Sequence, residues 1–216
     1  MATELHEERL QAVHDAVRAC GARSVLDLGC GDGDFLTRLL GDPKISRIVG
    51  MDVSADVLVR LRARLAASPP DIAANRVELI CGSMDESAAA LTGFDCAVLI
   101  ESIEHVELSR LSVIERVIFS EMHPRTVVIT TPNAEFNPLL GVPDNRFRHP
   151  DHRFEWGRAR FRKWAEGTAR RNGYRVTCSD IAGYHPDYGG ASQMAVFRSF
   201  GATPNPPLPS HRVSGA

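Results

Sequence analysis

Long apolar runs are missing from this 216-residue chain. A membrane span needs about 20 consecutive apolar residues, and no run approaches that length, so no membrane association is expected. The opening residues, Met1-Ala-Thr-Glu-Leu-His-Glu-Glu8, are acidic and polar, unlike a secretory signal. Cysteine is scarce. The five at 20, 30, 81, 96 and 178 are an odd number with no C-x-x-C spacing. That excludes a disulfide framework and a zinc ribbon, and it fits a reducing cytoplasm. An excess of charge of one sign is also missing. The net charge is −2, which argues against a protein that coats nucleic acid broadly. No internal repeat and no second domain can be discerned.

What is present is an ordinary soluble composition, 44% apolar and 24% charged, in a length that supports one α/β domain with a full core. Charge is unevenly placed. Residues 146–175 hold Arg146, Arg148, Arg153, Arg158, Arg160, Arg162, Lys163, Arg170, Arg171 and Arg175 against only Asp151, Glu155 and Glu166. Phe147, Phe154, Trp156, Phe161 and Trp164 are interspersed. Basic side chains with aromatics suit a nucleic-acid end. An amphipathic helix with a solvated basic face gives the same composition.

Leu5, Leu10, Val13 and Val17 recur at helical spacing and predict a lead helix over residues 4–20. Strands are expected at 24–28, 47–51, 77–80, 94–100 and 126–130, with helices between them. Ser54 is placed to cap the helix that ends before Ser68-Pro-Pro70. A helix is expected over 101–121, with Leu108, Leu111, Ile114, Val117 and Ile118 inward. This alternation predicts a doubly wound, mostly parallel sheet in a single domain, residues 1–200. Residues 132–152 read as a long loop, the start of a substrate and metal loop reaching residue 157. A helix over 158–172 and a hairpin of 174–178 with 193–200 follow. The Pro-rich tail, 201–216, reads as disordered.

Asp27-Leu-Gly29-Cys-Gly31-Asp-Gly33 follows the first strand and opens a helix. Glycines there let a ligand approach the backbone closely. A dinucleotide fingerprint would be G-x-G-x-x-G. Here the spacing is G-x-G-x-G, with an acid two residues ahead that would repel a pyrophosphate but can bind an ammonium. The combination resembles motif I of the class I S-adenosylmethionine (SAM) methyltransferases. Asp27, Gly29 and Gly31 then bind SAM. Asp52, ending the second strand, takes the ribose hydroxyls, and Ser83 and Met84 hold the adenine.

Glu101-Ser-Ile-Glu104-His105 begins where the fourth strand ends. On a helix, spacing i, i+3, i+4 puts all three side chains on one face. Two carboxylates and an imidazole suit Mg²⁺, Mn²⁺ or Fe²⁺ better than a structural zinc. His149-Pro-Asp-His152 offers a fourth ligand. Read with Thr130-Thr-Pro-Asn-Ala-Glu-Phe-Asn137 and Arg148-His-Pro-Asp-His-Arg-Phe-Glu-Trp-Gly-Arg158, this stretch resembles the methyltransferase domain of the small-RNA 3′-terminal 2′-O-methyltransferases. That family has plant, animal and bacterial members, the bacterial ones acting in RNA repair.

The resemblance covers about residues 20–200. It implies Glu101, Glu104, His105 and His152 as ligands of Mg²⁺ or Mn²⁺, and the RNA 3′ end as partner. It also implies a cytoplasmic, monomeric enzyme in an RNA-repair or small-RNA pathway. Either His105 or His149 can take the hydroxyl's proton, and His149 competes with His152 as ligand. Phe154 and Trp156 can be core or RNA platforms, and Pro132-Asn133 an acceptor-pocket loop or a plain turn. Gly157 departs from the family's threonine, and losing a capping hydroxyl there is expected to loosen the helix start. The chain has no room for a ligase-activating domain or double-stranded RNA-binding modules, and so reads as a stand-alone catalytic domain. Two other readings remain: a small-molecule SAM O-methyltransferase acting on a diol or catechol, and a SAM-binding regulatory subunit without turnover.

Overall fold

The computed structural model describes residues 2–67, 76–86 and 91–201. Seven strands form one sheet in the order β3-β2-β1-β4-β5-β7-β6. They are β1 Ser24–Leu28, β2 Arg47–Asp52, β3 Val77–Cys81, β4 Cys96–Ile100, β5 Thr126–Pro132, β6 Tyr174–Ile181 and β7 Ser192–Ser199. β1 to β5 pair in parallel, and β7 runs antiparallel between β5 and β6. The helices are α1 Ala2–Ala19, α2 Asp34–Leu40, α3 Ala55–Ala66, α4 Leu111–Glu115 and α5 Arg158–Asn172.

Strand residues alternate between the two faces, as a pleated strand must. Leu26, Leu28, Ala97, Leu99, Val127 and Ile129 pack with α4 and α5 residues such as Leu111, Ile114, Phe161 and Ala165. Val25, Ile48, Cys96, Val98 and Val128 pack on the opposite face with Val13 and Val17 of α1, Leu36 of α2 and Leu61 of α3. Each such leucine or phenylalanine, fully buried, contributes about 1.5–3 kcal/mol. Both faces are covered, which is why the central strands read as continuous apolar runs. In such sheets ligands collect beyond the carboxyl ends of the strands. There the register places Asp27 beside Gly50 and Val98, and Ile100 beside Thr130.

Several expectations need correction. No helix begins at Glu101. Its backbone is left-handed, φ 49°, and its N–H bonds the Thr130 carbonyl at 3.2 Å, prolonging the β4–β5 ladder by one residue. Residues 103–122 then form 3-10 turns at Ile103–His105 and Leu108–Arg110, α4, and a π-helical segment Arg116–Met122. The expected loop at 132–152 contains a 3-10 helix, Ala134–Leu140, capped by the Asn133 side chain. β6 runs three residues beyond Cys178, to Ile181. Ser54 does cap α3, accepting from the Val57 N–H at 3.3 Å. The proposed break at 68–70 and the tail from 202 onward lie outside the described residues.

The start of α5 is not loosened by Gly157. Glu135 supplies the missing cap from outside the helix: its Oε1 accepts the Arg158 N–H at 2.8 Å. A Cβ at Gly157 would meet that oxygen at 2.7 Å, so this chain has exchanged a local cap for a distant one.

Candidate active site

At the end of β1 the chain turns sharply under Met51, whose carbonyl accepts the Gly29 and Cys30 N–H groups at 2.8 and 3.0 Å. Gly29, Gly31 and Gly33 all have positive φ, a region open to glycine without strain. A Cβ on Gly29 would sit 2.8 Å from Ser102 Oγ and 3.5 Å from the Met84 methyl. The turn is therefore shaped by the residues after β3 and β4 as well as by its own glycines. Asp52 fixes it from β2, accepting the Gly31 N–H at 3.0 Å through Oδ2 and the Ser54 N–H at 2.9 Å through Oδ1.

Asp27 is 1% exposed, and its Oδ2 has no hydrogen-bond partner. Burial, reinforced by the charge of Asp52, pushes its carboxyl up to about 7. A desolvated carboxylate with an open oxygen beside a glycine turn suits a cationic ammonium, so these residues fit the amino-acid end of SAM. The Ser83 hydroxyl is committed to Asp85, which pairs with Arg110 at 2.6 Å. Met84 is the member of that pair whose side chain reaches the glycine turn.

The second half of the site lies at the ends of β4 and β5. Glu101 Oε1 accepts from Thr130 Oγ1 at 3.0 Å, and its Oε2 from Ser192 Oγ at 3.3 Å. Arg9, reaching over from α1, lies 3.4 Å from the same Oε2 and donates through Nε to Ser192 at 3.1 Å. Glu104 is fully buried. Its Oε2 accepts from Thr131 Oγ1 at 3.0 Å, while its Oε1 has no partner. Burial, then the neighbouring Glu101 charge, raise its pKa well above the usual carboxylate range. An unpartnered oxygen on a buried carboxylate beside a second carboxylate fits a cation.

Among the described residues, the metal-capable side chains whose ligand atoms all lie within 4.8 Å of one another are His105, His149 and His152. The His105 ring centroid is 4.8 Å from that of His152 and 5.8 Å from that of His149. Glu101 and Glu104 are not in that tight group.

The three rings differ in what holds them. His152 Nδ1 lies 2.5 Å from Glu155 Oε1. Despite burial, hydrogen bonds led by that from His152 hold the Glu155 carboxyl below its usual range. An ionised carboxylate only accepts, so Nδ1 carries the hydrogen, and in the neutral ring the lone pair is on Nε2. Burial, then the neighbouring His152 and His149 imidazoles, lower the pKa of His105. His149 is the reverse case: its Nδ1 accepts the Asp151 N–H at 3.2 Å, which leaves Nε2 as the donor.

Phe154 and Trp156 are both 4% exposed and stack at 4.4 Å; they belong to the core. Much of the basic segment is spent internally. Arg148 is half-buried, bonded to Asn137 Oδ1 and the Asn133 and Ala191 carbonyls. Arg158 pairs with Glu135 and Asp180, Arg153 with Glu107 and Arg171 with Glu115. Sequence reasoning missed Arg9 and Glu155. Nothing local marks Arg9. Glu155 carried a signal, a carboxylate three residues after a candidate ligand histidine.

A doubly wound sheet with an acid-led glycine turn on β1 and an acid closing β2 defines a SAM-dependent methyltransferase by class. Residues 25–120 match the family described as a methyltransferase domain. The chain is 39% identical over 203 residues to the small RNA 2′-O-methyltransferase of Gallus gallus, covering 89% of this chain and 53% of that protein. It superposes on the solved methyltransferase domain of bacterial CtHen1-CN with a TM-score of 0.81 and 34% identity, covering 90% of this chain and 99% of that one. With the solved small RNA methyltransferase HEN1 the TM-score is 0.82 and the identity 33%, over 90% of this chain and 25% of that one. The chain belongs to the small-RNA 2′-O-methyltransferase family and corresponds to its Hen1-type methyltransferase domain. It spans about half the length of the curated animal relatives it matches. Among the described residues, no helix is long and apolar enough to cross a membrane.

Proposed function

We propose that this chain transfers a methyl group from SAM to the 2′-hydroxyl of the 3′-terminal nucleotide of an RNA, with Mg²⁺ or Mn²⁺ held by Glu101, Glu104, His105 and His152. The observation that carries the metal assignment is Glu104, a buried carboxylate with one oxygen left without a partner. Ring hydrogen bonding supports the two histidines. His152 donates one N–H to the protein and keeps a lone pair on the other nitrogen, and the lowered pKa of His105 keeps its imidazole neutral. His149, accepting at Nδ1, has no free lone pair while neutral. It would instead present a donor to the acceptor nucleotide, and it can accept a proton only if its 3.2 Å bond to Asp151 opens.

Bound here, a divalent cation would supply the charge that makes a ribose hydroxyl a competent nucleophile near neutral pH. The chain's own part is placement. Asp27 takes the ammonium of SAM, Asp52 the ribose hydroxyls, and Thr130, Thr131 and Ser192 hold the two carboxylates in their orientations. Methyl transfer brings no new charge that the protein must stabilise on the methyl, so in-line positioning dominates the remainder. A site that needs adjacent 2′- and 3′-hydroxyls selects an RNA 3′ end over DNA and over internal nucleotides. The same reading describes a monomeric, cytoplasmic catalytic domain of residues 1–200, acting on 3′ ends handled by small-RNA or RNA-repair pathways.

The test is transfer from labelled SAM to a short RNA, with Mn²⁺ or with EDTA, beside a matched RNA whose last nucleotide is 2′-deoxy. Labelling of the intact terminus alone, and only with metal, is expected. Labelling of both RNAs moves the acceptor atom elsewhere. Labelling of a catechol but of neither RNA replaces this reading with small-molecule O-methylation.

A further inference from the structure

Glu155 is 1% exposed at its side chain, yet it lies on no strand and in no helix. Its carboxylate gathers donors from three directions. Oε1 accepts the Arg148 N–H at 2.7 Å and faces His152 Nδ1 at 2.5 Å. Oε2 accepts Asn137 Nδ2 at 2.6 Å. Asn137 turns its own oxygen to Arg148 Nε at 2.5 Å, and Arg148 reaches on to the Ala191 and Asn133 carbonyls. The loop bearing His149 and His152 is thereby tied to the 3-10 helix after β5 and to the segments flanking β5 and β7.

We propose that Glu155 is a positioning residue for the metal site: it fixes His152 as the Nδ1–H tautomer and so reserves the Nε2 lone pair for a metal ion shared with the His105 and His149 group. The inference rests on the metal reading above. Its chemistry is that of carboxylates behind ligand histidines generally, which set tautomer and ring angle and raise ligand basicity. Asn137 and Arg148 make the arrangement directional. With Asn137 Oδ1 already receiving Arg148 Nε, its amide can offer only N–H to position 155, so both oxygens of that residue must accept.

This requirement yields a graded test. Glu155→Ala removes every acceptor. Glu155→Gln keeps one oxygen but sets an NH₂ against a donor, whichever way the amide lies. In the double variant Asn137→Asp/Glu155→Gln, the new amide donates to the new carboxylate, and its oxygen again serves His152 and Arg148.

The experiment measures Mn²⁺ and SAM affinities of the wild type and these variants by calorimetry. It also records long-range ¹⁵N–¹H spectra of the metal-free proteins, which report each histidine's tautomer. The wild type should show His152 protonated on Nδ1. Glu155→Ala should weaken Mn²⁺ binding by about 10–100-fold with SAM binding unchanged. Glu155→Gln should fall between, and the double variant should recover most of the loss. A role confined to folding would instead reduce SAM and Mn²⁺ binding together and show no recovery in the double variant. An Nε2–H tautomer in the wild type, or unchanged Mn²⁺ affinity in Glu155→Ala, overturns the proposal while the metal reading stands. No Mn²⁺ binding by the wild type overturns both.

Discussion

The two halves of the site solve opposite problems with the same functional group. At the SAM end a single carboxylate, Asp27, is buried with its Oδ2 unpartnered, in a turn built from consecutive residues and closed by the neighbouring strand. At the acceptor end two carboxylates lie close enough for the charge of Glu101 to raise the pKa of Glu104. There the surroundings come from five separate segments: α1, the end of β4, β5, the 148–155 loop and the start of β7. One half leaves a charge open for a monovalent ammonium. The other sets two carboxylates among hydroxyl donors and an arginine, and a group of three imidazoles begins at the residue after Glu104; that donor set suits a divalent ion. The first is built mainly from contiguous residues braced by the neighbouring strand ends; the second draws its residues from across the fold.

That contrast predicts separable losses. Glu104→Ala should reduce methyl transfer by more than about a hundredfold, since losing even an outer-shell partner of a metal site costs 10–100-fold, while SAM affinity stays near the wild-type value. Calorimetric SAM titration beside the transfer assay checks this. Parallel loss of SAM binding would show that the two halves are not independent. Asp27→Asn should do the converse, weakening SAM by about 10–100-fold, as expected for a charged hydrogen bond of 1.5–3 kcal/mol, with Mn²⁺ affinity unchanged.

The same carboxyl gives a pH dependence. Its pKa is about 7 in the folded, SAM-free protein and about 3.9 in an unfolded chain. Between those values the folded state holds a proton that the unfolded state has released, so the SAM-free protein loses stability as pH rises from 4 to 7. With Asp27 in its proposed role, SAM needs the ionised form, so its affinity should fall as pH drops below about 7. Asp27→Asn should flatten the SAM-affinity slope and make the melting-temperature slope shallower by this carboxyl's share, the part due to Glu104 remaining.

Legibility followed the same division. The placement of Asp27, Gly29, Gly31 and Asp52 at the strand ends could be read directly because strand, turn and helix N-terminus are contiguous, and the expected sheet architecture formed. Glu101, Glu104 and His105 do lie together in the chain just after β4, but the structure does not support the reason for reading them as one face. The i, i+3, i+4 argument assumed a helix, whereas the last β4–β5 hydrogen bond holds Glu101 in a left-handed turn. Arg9 could not be read at all, because its partners are 92 and 183 residues away. The basic run at 146–175 misled in part, since composition cannot tell an arginine facing solvent from Arg148, half-buried and committed to main-chain carbonyls.

Gly33 tests how tightly the SAM half is built. Its φ is +78°, and a Cβ would lie 2.4 Å from Leu61 Cδ1. Gly33→Ala therefore meets both backbone strain and a core leucine, and should cost about 1–3 kcal/mol, measured by urea unfolding. It should also weaken SAM without touching Mn²⁺. An alanine protein as stable as the wild type would mean that Leu61 has space to move and that the turn is looser than its geometry implies.

The smallest effect belongs to the acceptor half. Glu135 caps α5 through the Arg158 N–H at 2.8 Å and pairs with the Arg158 guanidinium. The guanidinium is partly exposed, so screening leaves that pair a minor contribution, and the cap should dominate. Glu135→Ala should thus cost about 1 kcal/mol, the usual value of an N-cap. Gly157→Thr in the Glu135→Ala background should restore part of it, because the new hydroxyl can cap locally once the clashing carboxylate is gone. In the wild-type background the same threonine should destabilise. A threonine that stabilises both backgrounds equally would show that Glu135 is not the cap, and that this end of the acceptor half is organised as locally as the glycine turn.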